Sequence, residues 1–184
     1  MAHISTLNAS VHTSLAYSSY TTRPADTAFT TWNAQFDSDL DGVDEHVDFN
    51  EVGSIREFPS MGTPANIVNV PVYGQATSSQ IQGQSDSPTL EFTVNYIPTQ
   101  HGSLETLRKA GTKKMWRVRL KATAATITDL DVDEYDDMFF IASIASFEVT
   151  PALTDAMQAT ITLAIDGEFV GPVSSASGVL GVPA

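Results

Sequence analysis

Alternation of apolar and polar residues at a period of two runs through the second half of the chain, and it limits the possible folds more than any other feature. In LEFTVNYIP, residues 90–98, Leu90, Phe92, Val94 and Tyr96 point one way and Glu91, Thr93 and Asn95 the other. That is the signature of a strand with one covered face. Pro98 stops it. KKMWRVRLK repeats the pattern, with Trp116, Val118 and Leu120 directed inward and Met115, Arg117, Arg119 and Lys121 outward, so three cations form a ridge on one face. MFFIASIASFEVTP is nearly continuous in apolar residues, as expected where both faces are covered, while DAMQATITLAIDGEF alternates through Met157, Ala159, Ile161, Leu163 and Ile165. These two segments are expected to pair antiparallel around PALTD.

The first half is less regular. ISTLNASVHTSLAY alternates loosely and reads as a half-buried strand, which SSYTTRPADT breaks. AFTTWNAQF and VDFNEVGSIREF carry strand-favouring residues on either side of DSDLDG, which makes a hairpin plausible there. The span from Phe58 to Ser87 is rich in Pro, Gly, Ser and Gln and reads as loops around short edge strands. HGSLETLRKAG predicts a helix over 101–110: Ser103 as cap, Leu104 and Leu107 on one face, Arg108 and Lys109 suited to the C-terminal dipole, and Gly111 as terminator. The expectation is one mainly β domain over residues 1–170, followed by a flexible tail, GPVSSASGVLGVPA, over 171–184.

Charge narrows the functions. With 22 acids against 9 bases the net charge is -13, so neither nucleic acid nor an anionic membrane would attract the chain at long range. Cysteine is absent, which excludes disulfides and thiolate metal sites. No cationic start precedes an apolar run in the first thirty residues, and nothing approaches the ~18 apolar residues of a spanning helix. No membrane partner or targeting signal is therefore expected. The charges are segregated as well. Nine acids lie between Asp26 and Glu57 with only Arg56 against them, six more occupy DLDVDEYDD at 129–137, and seven of the nine bases fall between Arg108 and Lys121. Such patches either solvate a monomer or let identical copies dock head to tail.

The run DSDLDGVDEHVD, residues 37–48, has nearly the spacing of a helix-loop-helix calcium site. Asp37, Asp39, Asp41 and Gly42 fit, whereas Asp48 is one methylene short at the closing position and Asp44 stands where an apolar residue belongs. The flanks also lack amphipathic helical spacing, so an acidic loop acting through its charge is the favoured reading. A monomeric β-sandwich that binds calcium or carbohydrate through this loop is the alternative. His3, His12, His46 and His101 are scattered, and there is no HExxH, nucleophile elbow or phosphate loop. The consecutive acids of 129–137 cannot all face one pocket in an extended chain. No catalytic residue, resident metal or cofactor is predicted, and an enzyme is not expected.

Taken in order, EVGSI, the Gly- and Ser-rich span with SSQIQGQSDSPTLEFTVNYIP, HGSLETLRKA, KKMWRVRL and FFIASIASFEVTPALTDAMQATITLAIDGEF resemble the major tail tube protein of long-tailed bacteriophages with flexible, non-contractile tails. The resemblance spans about residues 47–170, with Tyr96 and Pro98 before the helix and Trp116 after it. It implies a β-sandwich or partial barrel with one flanking helix, whose inner strands join into a continuous β-barrel in a hexameric ring. Rings of this kind stack into the tube through which DNA leaves the virion. The implied partners are other copies of the chain, a tape measure protein, a tail terminator and tail tip proteins, with genomic DNA passing but not bound. The implied location is the virion tail, assembled in the host cytoplasm; a tail terminator or the inner tube of a contractile tail stays open as a related part.

Within that frame the acidic loop or hairpin at 37–57 is expected to lie between subunits. Asp37, Asp39, Asp41, Asp44, Glu45, Asp48, Glu51, Asp131, Asp133 and Glu134 are the acidic candidates for subunit contacts, ring stacking or the lumen. Arg108, Lys113, Lys114, Arg117, Arg119 and Lys121 are their basic counterparts. A wall without exposed cations would let a duplex slide, since each cation would otherwise capture a phosphate. Acids of another copy, from 37–57 or 129–137, are then expected to neutralise the ridge on KKMWRVRLK. Reversing two of its cations should block assembly and leave the monomer folded.

Overall fold

The computed structural model describes residues 13–33, 35–36, 49–62, 67–71, 73–74, 77–83, 88–121, 135–152 and 155–174. They form β1 (Ser14–Ser18), α1 (Phe29–Asn33), β2 (Phe49–Val52), β3 (Ile55–Glu57), β4 (Ile67–Val70), β5 (Ser79–Gln82), β6 (Thr89–Asn95), α2 (Pro98–Ala110), β7 (Lys114–Lys121), β8 (Tyr135–Thr150), β9 (Gln158–Ile165) and β10 (Val170–Ser174). The fold is mainly β. One antiparallel sheet runs β2-β1-β7-β8-β9-β6-β3, with β10 also on β8, and β4 and β5 make a separate hairpin.

The 16-residue strand β8 organises the molecule. Its first half pairs with β7 through Ala142, and its second half pairs with β9 from Ala142 to Thr150, with a bulge between Ile144 and Ser146. At ~3.3 Å per residue β8 spans roughly 50 Å, long enough to belong to two sheets that face each other. Sheet I is β2-β1-β7-β8 with β10, and sheet II is the later part of β8 with β9, β6 and β3. The chain crosses between them a second time at Gly53–Ser54, where Ser54 adopts a left-handed φ of 59°. Only those two residues separate β2 from β3, although the two strands close opposite ends of the hydrogen-bonded order. The sheet must therefore curl almost onto itself without closing its ladder.

The curled inner face is the core. Leu15, Tyr17, Val52, Leu90, Phe92, Val94, Trp116, Val118, Phe140, Ile144, Ile161 and Leu163 form one buried cluster joined by Leu104 of α2. Strand register explains it, because Leu15 faces Val52 and Val118, and Ile161 faces Phe92 and Phe147. The Trp116 indole donates to the Ala142 carbonyl at 3.1 Å, so its one polar atom is satisfied inside the core.

Helix α2 starts three residues earlier than expected. Pro98 ends the strand and also opens the helix, a position where its missing N–H costs nothing. Ile97, not Ser103, is the cap residue, and no side chain caps it. Ser103 instead accepts a hydrogen bond from the Tyr17 hydroxyl at 3.3 Å. Gly111 ends the helix in the left-handed region, φ 61°, as expected. Buried His101 ties the helix to the crossing: its Nδ1 accepts from the Ile97 N–H at 3.0 Å, and Nε2 lies 3.1 Å from the Gly53 carbonyl, which fixes Nε2 as the protonated nitrogen.

Two further expectations change. AFTTWNAQF does not form a strand: Phe29–Asn33 is a short helix, and Trp32 and Phe36 bury themselves on the outer face of sheet I with Ala16, Met115, Phe139, Ile141 and Val170. Residues 171–174 are not tail but the continuation of β10, pairing Val173 with Asp137 and Ser174 with Asp136. Residues 175–184 lie outside the described residues, as do 1–12 and 37–48. Among the described residues no helix is long and apolar enough to cross a membrane.

Candidate assembly surfaces

The basic ridge has the predicted parity and the wrong environment. Met115, Arg117 and Arg119 do point away from Trp116 and Val118, but the strap through α1 covers that face. Met115 is fully buried and Arg117 is 8% exposed. Arg119 donates to Asp137 from Nε at 2.8 Å and from Nη2 at 2.7 Å, and Asp137 is fully buried. The acid comes from the expected 129–137 run, but from the same chain and the adjacent strand, where Arg119 and Asp137 are register partners. Arg117 donates to Asn33 Oδ1 at 3.3 Å and lies over the ring of Phe36.

Other basic candidates also have partners within the chain. Lys113 binds Asp166 at 2.8 Å, Lys114 donates to the Ser19 carbonyl at 3.0 Å, and Arg108 grips Glu105 through two hydrogen bonds on α2. The hydrogen bonds from Arg108, and then its charge and that of Lys109, outweigh desolvation and hold the Glu105 carboxyl at about 2, below its usual 4.5. The Lys113–Asp166 bridge is exposed, and such pairs contribute at most ~1 kcal/mol, so a neighbouring acid could exchange with Asp166 at little cost. The Lys121 side chain lies outside what the structure describes.

Of the acidic candidates, Glu51 is described: it is exposed on edge strand β2, opposite Ala16. Asp37, Asp39, Asp41, Asp44, Glu45, Asp48, Asp131, Asp133 and Glu134 lie outside the described residues.

Two surfaces emerge that the sequence reading did not single out. The first is the outer face of sheet II, which no described element covers. Its side chains form four rows across β8, β9 and β6: Ser143, Ala164 and Thr89; Ser146, Thr162 and Glu91; Glu148, Thr160 and Thr93; Thr150, Gln158 and Asn95. Short, uncharged polar groups dominate, the charges present are carboxylates, and no Lys or Arg occurs in the grid. Ser146 and Thr162 hydrogen bond across strands at 2.8 Å. The sheet is open at both sides among the described residues. Strand β3 pairs only with Thr93 and Val94, leaving Thr89–Phe92 without a strand on the side away from β9, and β8 beyond Ala142 has no strand on the side that β7 occupies. The alternation in ATITLAI already signals this polar row; which sheet face stays bare is a tertiary fact.

The second surface is the β4–β5 hairpin, in register with Val68 opposite Ile81. Ile67, Val68 and Ile81 are 57%, 49% and 56% exposed. A lone two-stranded hairpin is marginal in water, and aliphatic residues on it add a hydration penalty that only another surface removes.

No protein-family model and no curated protein matches the sequence. Solved structures do match in fold. One is the SPP1 tail tube, determined as a hybrid structure by solid-state NMR and cryo-EM, with a TM-score of 0.50 at 16% identity over 86% of this chain and 76% of that one. Another is a chain of the anti-feeding prophage baseplate, sixfold symmetrised, with a TM-score of 0.53 at 9% identity over 91% of this chain and 98% of that one. The chain shares the fold of these tail-tube and baseplate proteins.

Proposed function

We propose that this chain is a structural tail protein of a phage or phage-derived particle, whose copies close into hexameric rings that stack as a tube for DNA passage. The observation that carries the reading is the bare outer face of sheet II. A conduit for a polyanion needs a wall that neither captures phosphate nor offers large apolar patches, and a cation-free grid of Thr, Ser, Asn and Gln with scattered carboxylates meets both needs. The fold similarity to a tail tube and to a sixfold baseplate chain supports it.

Ring size follows from the sheet. Six copies contribute β8, β9 and β6 each, and eighteen strands at ~4.8 Å give a circumference of about 86 Å and a backbone diameter near 28 Å, which a strand tilt of ~40° widens to roughly 36 Å. That admits a duplex. The open edge at Thr89–Phe92 is where a neighbour's β8 would continue the sheet, and the β4–β5 hairpin is the arm that reaches an adjacent ring. The wall is then polar with isolated carboxylates, less acidic than the net charge suggests.

Electron microscopy of the purified protein at rising concentration tests this. Wild type is expected to give hollow filaments with sixfold annuli, and the V68K/I81K double variant, altered only at exposed positions, is expected to stay folded and give no filaments. A wild-type chain that remains monomeric at every concentration, or filaments whose bore is lined by Lys and Arg, would overturn the reading.

A further inference from the structure

The acidic segment 37–48 joins the described structure through two aromatic residues, Phe36 before it and Phe49 after it. Phe36 lies just beyond α1 and Phe49 opens β2, yet one guanidinium lies against both rings. Arg117 Cζ is 4.7 Å from the centroid of Phe36 and 5.8 Å from that of Phe49. The same group donates to Asn33 Oδ1, which Arg119 Nη2 also reaches at 3.3 Å. A cation held between rings in a desolvated site is attracted more strongly than one at the surface, and a planar guanidinium can stack and hydrogen bond at once.

We infer that Arg117 is a stem clamp: it pins both ends of the acidic segment to one point on the outer face of sheet I. The register fixes the side. Phe49 stands opposite Ser18, on the same face as Ala16, and Phe36 packs with Ala16 and Met115. Both anchor points, Phe36 and Phe49, therefore lie on the side of the molecule away from the bare face of sheet II, whatever that face does. Arg117 acts through Phe36 and Phe49, as a positioning residue.

Native-state cleavage by a protease that cuts before Asp, mapped by mass spectrometry, reads the clamp directly. Arg117→Met keeps the aliphatic stem and removes the cation, and cleavage within 37–48 is expected to rise about tenfold while sites elsewhere keep their rates. Arg117→Lys should recover part of the protection. Phe49→Leu, at a partly exposed edge position, should give a similar local increase and add little to Arg117→Met, because both remove one contact. Unchanged cleavage in Phe49→Leu and the Arg117 variants would overturn the inference. So would acceleration at all sites in proportion to lost stability, since Arg117 would then be a core residue and no more.

Discussion

Replacing Asp137 by Asn keeps the shape of β8 and removes the charge that neutralises Arg119. In the wild type both carboxylate oxygens take a hydrogen bond, at 2.8 and 2.7 Å, and the two side chains are 0% and 15% exposed. The substitution leaves a guanidinium in a site that water scarcely reaches. Removing one partner of a buried pair costs about 3–5 kcal/mol, and because an amide still supplies one acceptor, the lower end, about 3 kcal/mol, applies. Against a total stability of ~5–15 kcal/mol this is a large share. For a chain of this length the melting temperature should fall by about 6–12 °C. Urea unfolding of dilute protein, followed through buried Trp32 and Trp116, measures it. Arg119→Glu should be worse still, since it sets two carboxylates together. R119M combined with D137L should recover most of the loss, because apolar side chains of similar volume need no charge partner. A loss below about 1 kcal/mol for Asp137→Asn at unchanged m-value would refute the reasoning. So would an Arg119→Glu chain that folds normally and fails only in assembly, since Arg119 would then be the intersubunit cation that charge segregation suggests.

His101→Phe keeps a ring in place and strands the Ile97 N–H and the Gly53 carbonyl; a loss of about 3 kcal/mol in urea unfolding is expected, and a change under 1 kcal/mol would show that the sheet crossing does not depend on these bonds. Glu105 titrates lower in the folded chain than unfolded, so its contribution is complete above its usual value of 4.5 and is lost as pH falls towards about 2. Glu105→Gln should flatten the stability profile across that window, with its stability lowered by a constant amount above it and converging on wild type at its acid end; a profile of unaltered slope would remove Glu105 from the account.

Much of sheet II was legible in the sequence. A period-2 pattern in Leu90–Asn95 and Gln158–Ile165 can be satisfied only by a strand with one dry face, and slipping the register by one residue would turn Phe92 and Ile161 out to water. The Gly111 stop and the antiparallel pairing around PALTD are equally local. The fate of AFTTWNAQF was not legible, because aromatic residues favour strand only where a pleated neighbour is available. Here Asp26 organises a turn instead, accepting from the Thr31 hydroxyl and from the Ala28 N–H while its carbonyl takes the Trp32 indole N–H.

The sequence alone settled which side of each strand a residue occupies, since side chains alternate by covalent geometry. It put Arg117 and Arg119 opposite Trp116 and concentrated the acids into two runs. Only the tertiary structure decided which of those faces meets water: a strap brought from residues 23–36 covers Arg117 and, beside buried Asp137, much of Arg119, and the Thr-rich face of β9 is left bare. The physical reason is range. Alternation is a property of adjacent residues, whereas exposure depends on what the chain folds over a face from a hundred residues away.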